Sequence, residues 1–255
     1  FDIVLAHPNQ LWDWTCFSYN PNLTIDILLS HATPHWHWVF ISQNSNITFE
    51  YVSAHPELPW DWGGLSSNSN ITLEHILAHP EQSWDWKWLS LNPNITFDHV
   101  LAHPELPWVW RRLSHNPNIT LEHILAHPEF PWNWRFLSEN PNLTFDHVLS
   151  YPDKSWDWRG LSQHPNITLE NLLSHPELPW NWYYLSMNSN FTFDDVLTYR
   201  EKPLNWRHLS FHLMITLDIV QKYPNLPWNW NELSRNPNIT FDEILAHPEL
   251  PLSWG

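Results

Sequence analysis

Histidine pairs are the residues of this sequence whose spacing best suits metal chemistry. The members lie four residues apart on one predicted helix face, at His75/His79, His99/His103 and His123/His127. Two imidazoles placed in this way can hold a transition metal. Tyrosine takes the second position elsewhere, at Tyr151, Tyr199 and Tyr223. Because tyrosine replaces histidine there, we favour a packing role for a side chain that carries a polar group at its end. We expect no bound metal and no other cofactor. Protonation of this histidine row is expected to loosen the fold at low pH.

Carboxylates form a second row, and a pair of them would be able to do acid–base chemistry. One occurs in every repeating unit, at Asp26, Glu50, Glu74, Asp98, Glu122, Asp146, Glu170, Asp194, Asp218 and Asp242. A catalytic pair is a singular feature, whereas an acid in every first helical turn stabilises the helix dipole and forms a solvated stripe. The chain has four glycines, and we find no nucleophile elbow and no phosphate-binding loop. We therefore expect a protein that is not an enzyme.

Asn-x-Thr triplets match the acceptor of N-glycosylation. They begin at Asn22, Asn46, Asn70, Asn94, Asn118, Asn142, Asn166, Asn190 and Asn238. The same residues suit a structural role, since asparagine shapes turns and threonine caps helices. Where Met214 takes the place of the asparagine, Thr216 is retained, as capping predicts. We favour the structural role and expect the asparagines to bond the backbones of neighbouring loops.

All these residues belong to one repeat with a period of 24 residues and no insertion. The second tryptophan of a Trp-x-Trp pair, or its equivalent, occurs at Trp14, Trp38, Trp62, Trp86, Trp110, Trp134, Trp158, Trp182, Trp206, Trp230 and Trp254. Threonine recurs at the same interval from Thr24 to Thr240, and serine from Ser18 to Ser234. Self-similarity of this kind is typical of a quasi-one-dimensional array. We therefore predict a single repeat array over residues 1–255 rather than two globular domains.

The first helix of a unit is predicted after a threonine. Thr96, like Thr72 and Thr120 in neighbouring units, is a good N-cap. The side chains at positions 95 and 100 suit a hydrophobic staple, and Phe97, Val100 and Leu101 share one helix face. Proline at position 104 ends this helix after about two turns.

The second helix is expected after Pro107, because proline suits the first helical position. It should also have about two turns, as α- or 3₁₀-helix. Neither helix is stable alone at this length, so each must bury a face against neighbouring units. Tryptophan serves this purpose, since one side chain can bury roughly 150–250 Å². The scaffold tryptophans include Trp60, Trp62, Trp84, Trp86, Trp108, Trp110, Trp132 and Trp134.

The charge of the chain narrows the choice of partners. Its 27 acidic and 11 basic residues give a formal net charge of −16. Nucleic acid and anionic membranes attract basic surfaces, so we expect neither as a partner, and a basic protein surface fits better.

We find no apolar run of about 18 residues, so no transmembrane helix is expected. Cys16 is the single cysteine, which excludes an intrachain disulfide. The chain begins at Phe1, partway through a repeat, so we expect a piece of a longer array.

Variable positions are where a specific function is expected, because the fixed positions build the scaffold. Two variable residues follow the second tryptophan, then Leu-Ser in most units, then a third variable residue, all on one helix face. This strip contains Lys87, Trp88 and Leu91; Arg111, Arg112 and His115; Arg135, Phe136 and Glu139; Arg159, Gly160 and Gln163; Tyr183, Tyr184 and Met187; and Arg207, His208 and Phe211. Arginine and aromatic residues are enriched at binding hot spots. The alternative is drift at exposed positions. The segment Phe193–Asn205, continuing through Leu213 and Met214, departs most from the pattern, as a contact site or as a worn copy.

The repeated string resembles two families. Asn94-Ile95-Thr96, Trp84-Asp85-Trp86 and Leu89-Ser90 resemble the NPNIT…PWDW…LS units of tandem-repeat proteins of giant DNA viruses. This resemblance implies a viral origin, with the virion or the host-cell cytoplasm as location, and it implies no activity. The period, the Asn-Pro turn and the Leu-Ala-x-x-Pro ending also resemble the leucine-rich variant repeat. That resemblance implies a superhelix of alternating α- and 3₁₀-helices, although the double tryptophan departs from it.

These features together predict an all-α solenoid, an α–α superhelix of about ten units. With neighbouring helices about 8–10 Å apart, the array would extend on the order of 100 Å. We expect a non-enzymatic scaffold for protein–protein interaction that uses the strip or a concave face. The alternative is a structural component of a viral particle or filament that self-assembles through its repeats.

Overall fold

The computed structural model describes residues 12–30 and 36–252, so Trp254 lies outside the described residues. The chain divides into two compact units, Phe1–Asn133 and Trp134–Gly255. Within these described ranges both units consist of short α-helices joined by turns, and neither contains a strand. Two kinds of helix alternate with the sequence repeat. The predicted all-α repeat solenoid is therefore confirmed.

The first helix of each repeat follows a threonine, and we call it the Thr helix. Its copies in the described residues are Ile25–Ser30, Phe49–Ala54, Leu73–Ala78, Phe97–Ala102, Leu121–Ala126, Phe145–Ser150, Leu169–Ser174, Phe193–Thr198, Leu217–Lys222 and Phe241–Ala246. Thr96 is an N-cap, and its Oγ1 accepts the N–H of His99 at 3.3 Å. In return, Nδ1 of His99 accepts the N–H of Thr96 at 3.2 Å, which completes a capping box. The predicted caps at Thr72 and Thr120 hold the same N-cap position.

The second helix of each repeat begins at the second tryptophan, and we call it the Trp helix. Its copies in the same part of the chain are Trp14–Ser18, Trp38–Gln43, Trp62–Ser67, Trp86–Leu89, Trp110–Leu113, Trp134–Leu137, Trp158–Gln163, Trp182–Leu185, Trp206–Phe211 and Trp230–Leu233. All of them are α-helical, so the 3₁₀ alternative is not seen in these residues.

The start of the Trp helix corrects the sequence prediction, because Pro107 does not take the first helical position. The helix begins at Trp110, and Val109 is its N-cap. Pro107 and Val109 instead flank Trp108, whose backbone N–H donates to the carbonyl of Leu106 at 2.7 Å. In other repeats an Asp or Asn side chain caps the helix from the position between the two tryptophans. One such cap is Asp85, which accepts the N–H of Lys87 at 2.8 Å.

Each repeat gives the core the same small set of apolar side chains. Ile95, Val100 and Leu113 are fully buried, and Phe97 is nearly so. Burial at positions 95 and 100 agrees with the predicted staple. Leu101 was expected on the same packing face, and that prediction is wrong, since 40% of it is exposed. The helix has only six residues, and those at positions 97 and 100 form its buried face. Leu101 therefore lies at the edge of that face.

No helix in the described ranges combines the length and the apolar character that crossing a membrane requires.

Candidate interaction surface

A ladder of buried asparagines joins consecutive repeats. Asn68 is fully buried, and its Nδ2 donates to the carbonyls of Ser42 and Asn44 in the preceding repeat, both at 2.9 Å. Its Oδ1 accepts the N–H of Asn70 at 2.8 Å, which fixes the turn of its own repeat. Because the carbonyls at the end of a short helix have no partner within that helix, the next repeat supplies one.

The asparagines of the Asn-x-Thr triplets form a parallel ladder. Nδ2 of Asn94 donates to the carbonyls of Ser69 at 2.6 Å and Ile71 at 2.9 Å. Equivalent pairs of bonds occur at Asn46, Asn70, Asn118, Asn166 and Asn190. The asparagines thus bond neighbouring loop backbones, as the sequence predicts. An N-linked sugar replaces one hydrogen of Nδ2, so it would remove one of these bonds.

A buried serine bridges each repeat to the next. Oγ of Ser66 donates to the carbonyl of Trp62 at 2.7 Å and accepts the N–H of Asp85 at 2.9 Å. The side chain is fully buried. The sequence shows that this serine is fixed in the repeat but indicates no role for it. The bond to the next repeat spans 19 residues, which local patterns do not report.

The tryptophans interlock successive repeats, as predicted. The first tryptophan of a pair, such as Trp84, donates its Nε1–H to the carbonyl of His79 at 2.9 Å, at the end of the Thr helix. Its ring meets Trp62 of the preceding repeat edge to face, with centroids 4.9 Å apart. The same contact joins Trp38 to Trp60, Trp86 to Trp108, Trp110 to Trp132, and Trp134 to Trp156.

The two histidine rows have separate partners. The first row, including His99, completes capping boxes and stacks on phenylalanine, as where His123 lies 4.6 Å from the ring of Phe97. In the second row, Nδ1 of His103 contacts Oε1 of Glu105 at 3.2 Å. No group of three or more histidine, cysteine or acidic side chains in the described part of the chain is arranged to hold a metal ion. The members of each pair take part in capping, in ring packing and in surface contacts with glutamate.

Acidic side chains line the outer side of the Thr helices in two rows. The first row is the predicted one, and Asp98 within it is exposed. The second row follows the helix, where 65% of the Glu105 side chain is exposed. A hydrogen bond from its own backbone, followed by one from His103, lowers the pKa of Glu105. A hydrogen bond from Thr72 has the same effect on the pKa of Glu74. These carboxylates are therefore ionised at neutral pH.

The first residue of each strip triplet is exposed. This holds for Lys87, Arg111, Arg135, Arg159, Tyr183 and Arg207. Some of the cations make ion pairs at the surface. Nε of Arg135 lies 3.0 Å from Asp157, and Nε of Arg207 lies 2.7 Å from Glu232. Exposed pairs of this kind contribute little to stability, so these side chains remain available to other partners.

The second and third residues of the triplets contact neighbouring repeats. The guanidinium of Arg112 lies 5.7 Å from the ring centroid of Trp88, which is 41% exposed. Gly64 holds the same position as these two and is buried, and a Cβ there would lie 2.6 Å from the carbonyl oxygen of Val39. The remaining second and third residues are partly buried at Leu91, His115, Phe136, Gln163, Tyr184, Met187 and His208, buried at Gly160, and exposed at Glu139 and Phe211.

The segment Phe193–Asn205 keeps the geometry of the repeat despite its divergent sequence. Leu204 replaces the first tryptophan and is buried. Asp195 replaces the capping histidine, and its Oδ2 accepts the N–H of Thr192 at 2.7 Å. Asn205 caps the following Trp helix. Beyond it, Leu213 is 67% exposed, so this region adds an apolar side chain to the surface.

Two functional features of the scaffold were missed in the sequence, namely the serine bridge and the cap between the tryptophans. The signal for the cap was present, since Asp or Asn fills that position at Asp61, Asp85, Asp157, Asn181 and Asn229. The structure places the strip residues at equivalent positions of successive Trp helices and turns. Comparisons with protein-family models, with curated proteins and with solved structures returned no match.

Proposed function

We propose that this chain is a non-enzymatic repeat scaffold for protein–protein interaction and that the strip is its binding surface. The observation that carries the proposal is that fixed residues join the repeats whereas variable residues are exposed. The fixed asparagine, serine and tryptophan bond or pack against the next repeat, as at Asn68, Ser66 and Trp84. The residues that vary most, such as Arg111 and Tyr183, are exposed. Side chains of these two types are favoured at hot spots of protein interfaces.

A second candidate is a structural component that assembles through its repeats, as in a viral particle or filament. The polarity of the asparagine ladder favours it. Each repeat donates from its asparagines and the repeat before it accepts with its carbonyls, as Asn94 does towards Ser69. A head-to-tail contact between copies would use the same donors and acceptors, and such contacts generate open filaments.

One pair of experiments separates the two candidates. Sedimentation velocity over a concentration series, at pH 7.5 and 5.5, reports self-association. A photo-crosslinking residue at position 111 or 183, with exposed Ser69 as a matched control position, reports heterologous partners. A monomer at all concentrations, with a defined adduct from the strip positions and none from position 69, supports the scaffold. Concentration-dependent oligomers, with adducts to copies of the chain only, would instead establish the structural role.

A further inference from the structure

A cleft opens beside the second tryptophan of the repeat. In the first unit it has a volume of about 340 Å³, and its walls are apolar on most sides. They include Val52, Leu58, Pro59, Trp60, Trp62 and Gln82. The Trp62 ring is only partly buried. The cleft thus offers part of an indole surface between the Thr helix of one repeat and the turn of the next.

The chain itself shows what this kind of cleft accepts. In the second unit, the residue equivalent to Gln82 is a lysine in two repeats. Nζ of Lys154 lies 4.9 Å from the ring centroid of Trp134, and Nζ of Lys202 lies 5.2 Å from that of Trp182. An ammonium group at this distance is attracted by the quadrupole of the indole. Lysine from within the chain thus places its ammonium over the indole at these two positions, and Lys202 lines a cleft of about 290 Å³ beside Trp182. At the cleft of Trp62 a neutral glutamine, Gln82, takes this position.

The rim of the Trp62 cleft carries negative charge. Glu57 and Glu81 are neighbours in sequence of the lining residues, and 64% and 62% of their side chains are exposed. Hydrogen bonds from their own backbone N–H groups lower the pKa of both carboxyls. The amide of Gln82 donates to Oε1 of Glu81 at 3.2 Å, which keeps that carboxylate beside the cleft. An anionic rim around an aromatic wall complements a cationic side chain with an aliphatic stem.

We propose that the cleft at Trp62 receives a lysine or arginine side chain from a basic polypeptide segment. The ammonium or guanidinium would lie over the indole, as Lys202 lies over Trp182, and the stem would contact the proline and leucine walls. The excess of acidic residues over the whole chain, 27 against 11 basic, draws such a segment to the surface. This inference rests on the proposed scaffold role and gives it a partner chemistry.

The test uses the full chain and decalysine amide as the probe, at fixed ionic strength. Gln82→Lys supplies the internal ammonium, so it should weaken binding roughly three- to tenfold by isothermal titration. Ser69→Lys adds the same charge at an exposed position outside the cleft and should weaken binding much less. Both glutamine and lysine occur at this repeat position in the chain, so the fold should tolerate Gln82→Lys.

A charge-neutral variant locates the site. In Gln82→Lys combined with Lys202→Gln, the indole without an internal ammonium over it changes from Trp62 to Trp182. The indole N–H signal that shifts on titration in NMR spectra should move with it. Equal weakening by Gln82→Lys and Ser69→Lys would overturn the cleft, because it would show only diffuse attraction. Absence of decalysine binding would also overturn it, while crosslinks from positions 111 and 183 would leave the scaffold proposal intact.

Discussion

Replacement of the ladder asparagine Asn68 tests how the repeats are held together. Asn68→Ala removes the bonds donated to three carbonyls of the preceding repeat and one accepted bond in its own turn. The carbonyls of Ser42 and Asn44 then face a small cavity instead of a donor. An unsatisfied buried polar group costs about 1–3 kcal/mol, so we expect a total loss of about 2–5 kcal/mol in the free energy of unfolding.

Histidine is a natural control at this position, because the chain uses it at His164. There, Nε2 contacts the carbonyl of Asn140 at 2.9 Å, and Nδ1 accepts the N–H of Asn166 at 3.1 Å. Asn68→His therefore keeps one bond of each kind and should lose about half as much stability as the alanine variant. Asn68→Asp turns an oxygen towards three carbonyls and should be at least as destabilising as alanine at pH 7.

Urea unfolding followed by circular dichroism gives these free energies, and tryptophan fluorescence checks that the same transition is observed. Ser69→Ala, at the exposed neighbouring position, should change the free energy by no more than about 0.5 kcal/mol. The reasoning fails if Asn68→Ala is equally neutral, or if the histidine variant is no more stable than the alanine variant. Either result would mean that the ladder does not bear on stability.

Three further predictions use the same measurement. Ser66→Ala should lower the free energy of unfolding by about 1–3 kcal/mol, since it leaves the partly buried N–H of Asp85 without its acceptor. An effect no larger than that of an exposed-site control would contradict the bridge. Gly64→Ala should be destabilising because its Cβ would lie 2.6 Å from a backbone oxygen. Gly63→Ala, whose Cβ would have its nearest contact at 3.3 Å, should be neutral or stabilise the helix by up to about 1 kcal/mol. Equal effects of the two substitutions would refute the close approach at Gly64. Burial lowers the pKa of His208 and of His212 from 6.5, and the charge of His208 lowers that of His212 further. The unfolded chain therefore binds more protons as the pH drops through 6.5, so stability should be greatest well above that pH and fall as the pH drops through it. A His212→Asn variant should lose less stability between pH 7 and 5, and identical pH profiles would exclude this cause.

Much of the fold is predictable because the repeat places local signals in every unit. Thr96 and Pro104 bracket a helix through chemistry that acts within a few residues of each. The prediction that Leu101 is buried failed for a physical reason. A spacing of three and four residues defines a helix face but does not say how much of that face the neighbouring repeats cover. Pro107 misled because proline suits both a first helical turn and an extended segment. The bonds of Ser66 and Asn68 join residues 19 to 26 positions apart, so only the packed structure reveals them.

The roles of the strip residues are less predictable from the sequence, because some of these residues also contact a neighbouring repeat. Sequence alone treats its three positions as equally variable, yet the second position meets its counterpart in the next repeat. Trp88 and Arg112 contact each other, and buried Gly64 admits no larger side chain. A change at the second position therefore alters scaffold contacts as well as any interface. The first position, as at Arg111 and Tyr183, is exposed and varies without that constraint. If the strip selects a partner, substitutions at Arg111 should change affinity without changing the free energy of unfolding, and those at Arg112 should change both.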